Sequence, residues 1–150
     1  MVFPIHAVTK SAKETQALGE QFGAYFLKSG DDPQHTVCFW GDLGSGKTTF
    51  IQGVARGLGI SKRLLSPTFI IVRHYDIPST SRRLHHFDLY RFTDQKEVVA
   101  VGLSEIFKQP QAIVCIEWPE RLGTLLPKDR IDIRCRLNDD GTHDIDIMKA

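Results

Sequence analysis

Thr36-Val37-Cys38-Phe39-Trp40-Gly41-Asp42-Leu43-Gly44-Ser45-Gly46-Lys47-Thr48-Thr49-Phe50 is the stretch that decides the fold. Its first five residues are apolar or β-favouring and read as a short strand buried on both faces. Gly41 to Thr48 satisfies G-x-x-x-x-G-K-[ST], and Phe50, Ile51, Val54 and Leu58 then keep helical spacing until Gly59 supplies a stop. A buried strand passing through a glycine-rich loop into a helix is the context that motif needs. Glycines let the backbone approach a ligand closely, successive N–H groups wrap phosphate oxygens, and the helix N-terminus adds partial positive charge. The pattern therefore predicts that Gly44, Ser45, Gly46, Lys47, Thr48 and Thr49 hold a nucleoside triphosphate. Lys47 reaches the β- and γ-phosphates in that reading, Thr48 places its hydroxyl on Mg2+, and Thr49 lies near the α-phosphate.

Working outward, Ser11-Ala12-Lys13-Glu14 forms a capping box, and Leu18, Phe22 and Phe26 follow on one helical face. Gly30-Asp31-Asp32-Pro33 stops that helix. Thr68–Tyr75 and Arg83–Tyr90 both read as extended, and the turn-rich Asp76-Ile77-Pro78-Ser79-Thr80-Ser81 between them predicts an antiparallel pair. Asp94-x-x-Glu97 boxes a further helix carrying Val98, Val99 and Val101, with Gly102 as its weak point. Ala112–Ile116 is a second buried strand. Ile131, Ile133, Cys135 and Leu137 alternate with Arg130, Asp132, Arg134 and Arg136, and His143–Met148 alternates similarly across Asn138-Asp139-Asp140-Gly141, giving a terminal hairpin. The architecture expected is one α/β domain over residues 1–150, with a mostly parallel central sheet and an antiparallel extension.

The 150 residues are 41% hydrophobic and 25% charged, which excludes a disordered tail, a fibrous repeat and a disulfide scaffold. Nineteen basic residues stand against eighteen acidic ones, so no global field exists to hold nucleic acid. Cys38, Cys115 and Cys135 sit singly in apolar segments and read as buried thiols of a reducing compartment. No apolar run approaches a membrane span, and Met1–Lys10 lacks the pattern of a leader, so a cytoplasmic protein with no membrane partner is expected. His74, His85 and His86 lack zinc-site spacing.

A second magnesium anchor belongs at the end of an adjacent strand, and Ala112-Ile113-Val114-Cys115-Ile116-Glu117 has that form. Glu117 is placed at the sheet edge where ligands of open α/β folds bind, as a metal ligand or as the residue that positions water. Trp118 either shields the phosphates or closes the core. In His86-Phe87-Asp88-Leu89-Tyr90-Arg91, strand alternation puts His86, Asp88 and Tyr90 on one face, so Asp88 is a candidate catalytic carboxylate. Ser66-Pro67-Thr68-Phe69 offers two hydroxyls where a mobile segment would sense the γ-phosphate. Arg134 and Arg136, with Arg82 and Arg83, are either RNA contacts or solvated surface.

Together, Gly41–Thr49, Ser66-Pro67-Thr68-Phe69, His86-Phe87-Asp88-Leu89-Tyr90-Arg91 and Ile116-Glu117-Trp118-Pro119-Glu120 resemble the bacterial TsaE (YjeE) family, the P-loop ATPase of tRNA threonylcarbamoyladenosine biosynthesis. The likeness runs over residues 11 to 130. It implies a P-loop NTPase-like fold, ATP and Mg2+ as cofactors, and weak intrinsic hydrolysis that rises in a complex with TsaD and TsaB. tRNA would be met through that complex. By position, the resemblance makes Asp88 and Glu117 catalytic, Thr48 and Glu117 metal ligands, and Ser66, Pro67, Thr68 and Phe69 the switch segment. It brings Ser11 and Ala12 near the nucleotide base; the tail after Leu137 follows no family pattern, and Asn138–His143 enters as a further candidate for base contacts. The alternatives are a small-molecule kinase, a GTPase switch and a non-hydrolysing scaffold. The Asp76–Arg83 turn is short for a kinase lid, and the guanine-specific Asn-Lys-x-Asp is absent.

Overall fold

In the computed structural model, which describes residues 1–29, 35–65 and 71–150, the strands are β1 (Ile5–Thr9), β2 (His35–Trp40), β3 (Val72–Asp76), β4 (Arg83–Asp88), β5 (Ile113–Glu117), β6 (Ile131–Leu137) and β7 (His143–Lys149). They form one seven-stranded sheet in the order β1-β7-β6-β2-β5-β4-β3. The central strands β6, β2, β5 and β4 run parallel; β7 and β1 continue antiparallel beyond β6, and β3 pairs antiparallel with β4. The parallel core and the antiparallel extension are as the sequence predicts. Because β2, β5 and β4 are neighbours in register, Phe39 lies opposite Glu117 and Glu117 opposite Asp88. The loop after β2 and the two carboxylates thus reach one edge of the sheet, at the carboxyl ends of its strands.

Two helical layers cover the sheet. Helices α1 (Ala12–Lys28) and α2 (Lys47–Gly57) lie on one face, and α3 (Gln95–Ala100), α4 (Leu103–Phe107) and a 3-10 segment (Pro119–Leu125) on the other. Strand alternation divides the apolar residues between them. Val37, Phe39, Ile113 and Cys115 join Phe22, Phe26, Phe50 and Val54; Cys38, Val114 and Ile116 join Val98, Leu103 and Leu122. Burial on both faces is why β2 and β5 read as unbroken apolar runs.

The Ser11 hydroxyl caps α1 by accepting from the Glu14 N–H at 3.2 Å, and Glu14 reaches back to the Lys10 N–H at 2.7 Å, one residue before the cap. The face of α1 that meets α2 is bare backbone. Gly19 and Gly23 face Gly53 and Gly57, and a Cβ on Gly53 would stand 2.1 Å from the Gln16 carbonyl oxygen. The two helices touch main chain to main chain, so α1 fixes the axis of the helix that begins at Lys47. Gly-x-x-x-Gly spacing in both helices carries that signal in the sequence.

Elsewhere the differences are local. Ile5–Thr9 is a strand that the sequence reading did not assign; its partner β7 is far along the chain, with Ile5 opposite Ile147, and exposed Val8 blurs the alternation. The helix expected after Asp94 is two short ones, because Gly102 takes a left-handed φ of 78° and starts α4. Asp132, expected on the wet side of β6, is buried; it accepts from Trp40 Nε1 at 2.8 Å and from Arg130 Nε at 2.9 Å. Strand β3 starts at Val72, and the expected extension from Thr68 and the expected stop at Gly30-Asp31-Asp32-Pro33 fall outside the described residues.

Candidate functional site

The loop from β2 turns into α2 through Gly46, whose left-handed φ of 102° is a conformation that a side chain would strain. The turn is closed by Ser45 N–H to the Asp42 carbonyl at 3.1 Å and by Phe50 N–H to the Gly46 carbonyl at 2.9 Å. Above it opens a cavity of about 430 Å³, floored by Gly44, Gly46, Lys47, Thr48 and Thr49. Asp88, Tyr90, Glu117 and Trp118 form one wall, and Ala12, Thr15, Leu43 and His143 complete the lining. Five of the six loop residues assigned to phosphate binding are in this lining. Ser45 is not; it is buried, and its side chain lies against Gly41 beneath the loop.

Lys47 is 5% exposed, and its Nζ donates to the carbonyl oxygens of Gly41 at 2.6 Å and Asp42 at 2.8 Å. The ammonium also stands 4.7 Å from the centre of the Trp118 ring. Burial pulls its pKa below the ordinary lysine value, against the opposing pull of Glu117 and Asp88. An anion entering the cavity would offer this cation a stronger acceptor than the two carbonyls.

Glu117 is the hub of the wall. One carboxylate oxygen accepts from the Thr48 hydroxyl at 2.8 Å, and the other pairs with His86 Nε2 at 2.8 Å. Both Glu117 and His86 are buried. Burial alone would push the Glu117 carboxyl up, but His86, the Thr48 hydroxyl and the Lys47 ammonium together hold it below the usual carboxylate value. A carboxylate can only accept, so His86 Nε2 carries the proton of that bond. The sequence reading gave His86 no role, although strand alternation already placed it on the Asp88 face.

Asp88 ends β4 beside Glu117, and its Oδ1 accepts from the Tyr90 N–H at 3.0 Å. Tyr90 follows it into the cavity wall, its ring 5.0 Å from that of Trp118. Trp118 lines the cavity and also packs on the core cluster around Phe87 and Leu122. Its backbone is left-handed at φ 61°, a strained conformation for a bulky residue.

Other residues singled out in the sequence fall elsewhere. Ser11 is exposed, accepts from the Glu14 N–H as the α1 cap, and is not in the cavity lining, which Ala12 and Thr15 reach. Ser66, Pro67, Thr68 and Phe69 lie outside the described residues. Arg82 is buried, donating to the carbonyls of Phe26 at 3.0 Å and Gln111 at 3.2 Å, so it is neither solvated surface nor a lid arginine. Arg83 pairs with Asp76 at 2.7 Å. Arg134 lies over the Trp40 ring, and Arg136 bonds to Asp144. No helix among the described residues is long and apolar enough to cross a membrane.

A mixed sheet with parallel central strands, a phosphate loop between a central strand and its helix, and a carboxylate ending the adjacent strand define a P-loop NTPase-like α/β domain. The family model described as threonylcarbamoyl adenosine biosynthesis protein TsaE matches residues 9–145, and the chain belongs to that family. The tRNA threonylcarbamoyladenosine biosynthesis protein TsaE of Bacillus subtilis is 38% identical over 128 residues, covering 83% of this chain and 73% of the relative. The protein of the same name from Treponema pallidum is 32% identical over 143 residues, covering 95% and 99%. The crystal structure of Bacillus subtilis YdiB superposes with a TM-score of 0.77 at 28% identity, covering 100% of this chain and 88% of that one.

Proposed function

We propose that residues 1–150 act as one ATPase domain of tRNA threonylcarbamoyladenosine modification, using Mg-ATP hydrolysis in the cytoplasm to support turnover of a TsaD–TsaB transferase. The pathway follows from the family and from the names of its members. The observation that carries the chemistry is the Thr48 hydroxyl 2.8 Å from the Glu117 carboxylate at the mouth of the phosphate loop, with Asp88 on the next strand.

That donor set fits the cation. A hydroxyl and a carboxylate are hard oxygen ligands, and Mg2+ in nucleotide sites takes one or two protein oxygens, with phosphate and water filling the rest. Held by Thr48 and Glu117, Mg2+ would supply charge neutralisation for the phosphates. The chain's own residues do the remainder. The loop amides and Lys47 fix the phosphates, Glu117 is kept ionised by His86 and Lys47, and Asp88 orients the attacking water. Trp118 and Tyr90 screen the phosphates from solvent. Phosphoryl transfer asks for alignment and charge neutralisation rather than covalent help, which suits so few groups. A kinase reading loses support, because Arg82 is buried and Arg83 is bonded within the β3–β4 turn.

The test is to measure ATP binding and ATP hydrolysis separately in two variants. Lys47→Ala is expected to lose ATP affinity, whereas Asp88→Ala keeps binding and loses turnover. Equal loss of affinity in both would overturn this division of roles.

A further inference from the structure

His143 opens β7, away from the phosphate loop and the strand-end carboxylates in sequence, yet it is bonded to the phosphate loop 98 residues earlier in the chain. Its Nδ1 stands 2.8 Å from the Ser45 carbonyl oxygen. A carbonyl can only accept, so Nδ1 carries the proton of that bond. The imidazole also lines the cavity and lies so close under the loop that a Cβ on Gly46 would come within 3.3 Å of Nδ1. The backbone of His143 is held on both sides: it is in register with Thr9 of β1 and with Leu137 of β6, and Thr9 is tied through its hydroxyl to that of Thr15 at 2.6 Å.

From this geometry we infer that His143 is a positioning residue for nucleotide binding, bracing the Ser45–Gly46 peptide from the terminal hairpin. The peptide unit is planar and trans, so its carbonyl and its N–H point to opposite sides. Holding the Ser45 oxygen on the imidazole therefore sets the direction in which the Gly46 N–H is presented. Gly46 does little to hold its own conformation, because it lacks a Cβ to restrict it. Without the bond, the peptide has to be ordered again each time a phosphate arrives, and affinity falls. The proposal rests on the reading of this cavity as an ATP site and adds to it a residue outside the loop.

Three variants separate the bond from the ring. Asn places its amide Nδ2 close to where His Nδ1 lies, so His143→Asn keeps a donor for Ser45 and loses the ring. His143→Phe keeps the ring and loses the donor; His143→Ala loses both. Isothermal titration of the full chain with Mg-ATP, and with magnesium tripolyphosphate as a probe without a nucleoside, is run beside kcat and KM for hydrolysis. The account expects His143→Ala and His143→Phe to weaken both ligands by roughly three- to tenfold, the worth of one hydrogen bond. It expects His143→Asn to stay within about twofold of wild type for tripolyphosphate. The loss should fall on KM with kcat largely kept, and far-ultraviolet circular dichroism should show all variants folded. If His143→Ala fails to fold, the comparison of Asn with Phe decides alone. Wild-type affinity in His143→Phe, or an Asn variant as weak as the Phe one, overturns the inference. A wild-type chain that binds no ATP overturns the cavity reading and this inference together, and so is told apart from failure of the inference alone.

Discussion

Gly53→Ala puts a methyl group where two helices meet backbone to backbone. The added Cβ would stand 2.1 Å from the Gln16 carbonyl oxygen, 2.9 Å from its carbon and 3.0 Å from its Cα. All three are main-chain atoms, so no rotamer change relieves the clash, and α1 and α2 have to part by roughly 1 Å to restore van der Waals distance. Two effects oppose each other. Alanine inside a helix is favoured over glycine by about 1 kcal/mol. Overpacking a closed interface costs about 1–3 kcal/mol, and parting these helices also loosens buried Phe22, Phe50 and Val54, which puts this case at the upper end. The net is a loss of about 2 kcal/mol. At about 2–4 °C per kcal/mol for a chain of this size, the melting temperature should drop by roughly 4–8 °C. Thermal unfolding followed by circular dichroism measures it, and ATP affinity should fall as well, because α2 carries Lys47 and Thr48. A Gly53→Ala protein that melts at or above the wild-type temperature would refute the close-approach argument, leaving only helix propensity.

Further tests address separate parts of the structure. His86→Phe removes the donor that orients Glu117, so the Mg2+ concentration needed for half-maximal ATP hydrolysis should rise about 10–100-fold, the usual reach of an outer partner of a metal ligand; an unchanged requirement contradicts the role given to His86. Burial first, then His74 and Arg83, push the His85 imidazole down to about 4 from an ordinary 6.5. Between those values the unfolded chain binds the proton that the folded one refuses, so stability falls as pH drops through that window. His85→Gln should flatten the fall in urea midpoint between about pH 7 and about pH 5, and an unaltered slope would count against it. Burial raises all three thiols, with Cys38 and Cys135 pushed up to about 12. A thiol reagent at about pH 8 should modify none of them in the folded protein and all three after denaturation.

The legible part of this protein is the part built from local rules. The run Thr36–Phe50 contains strand, loop and helix start in one stretch, and each piece depends on residues within a few positions of it. Glu117 was within reach because a strand buried on both faces and ending in one carboxylate has a recognisable form. The pairing of β1 with β7 was not, since its register depends on Ile5 meeting Ile147, a contact with no local signature. The same distance hid the bond from His143 to Ser45. His86 was visible as a residue but not as a partner, because alternation along β4 gives its face and not the neighbour across that face. Asp132 misled for a related reason: alternation put it in water, and only the approach of Trp40 and Arg130 explains its burial. Ser11 was legible as a cap because the capping box is a local pattern, and its hydroxyl accepts from the Glu14 N–H as that pattern predicts.

The most direct measurement is multi-turnover threonylcarbamoylation of tRNA, reconstituted with TsaD, TsaB and the carbamoyl-adenylate synthase of the same organism. It is run with this chain, without it, and with Lys47→Ala. The account predicts sustained product formation only with the wild-type chain, and little beyond the first turnover in the other two reactions. Equal product in all three would contradict it and turn attention to phosphorylated small-molecule products of the same site.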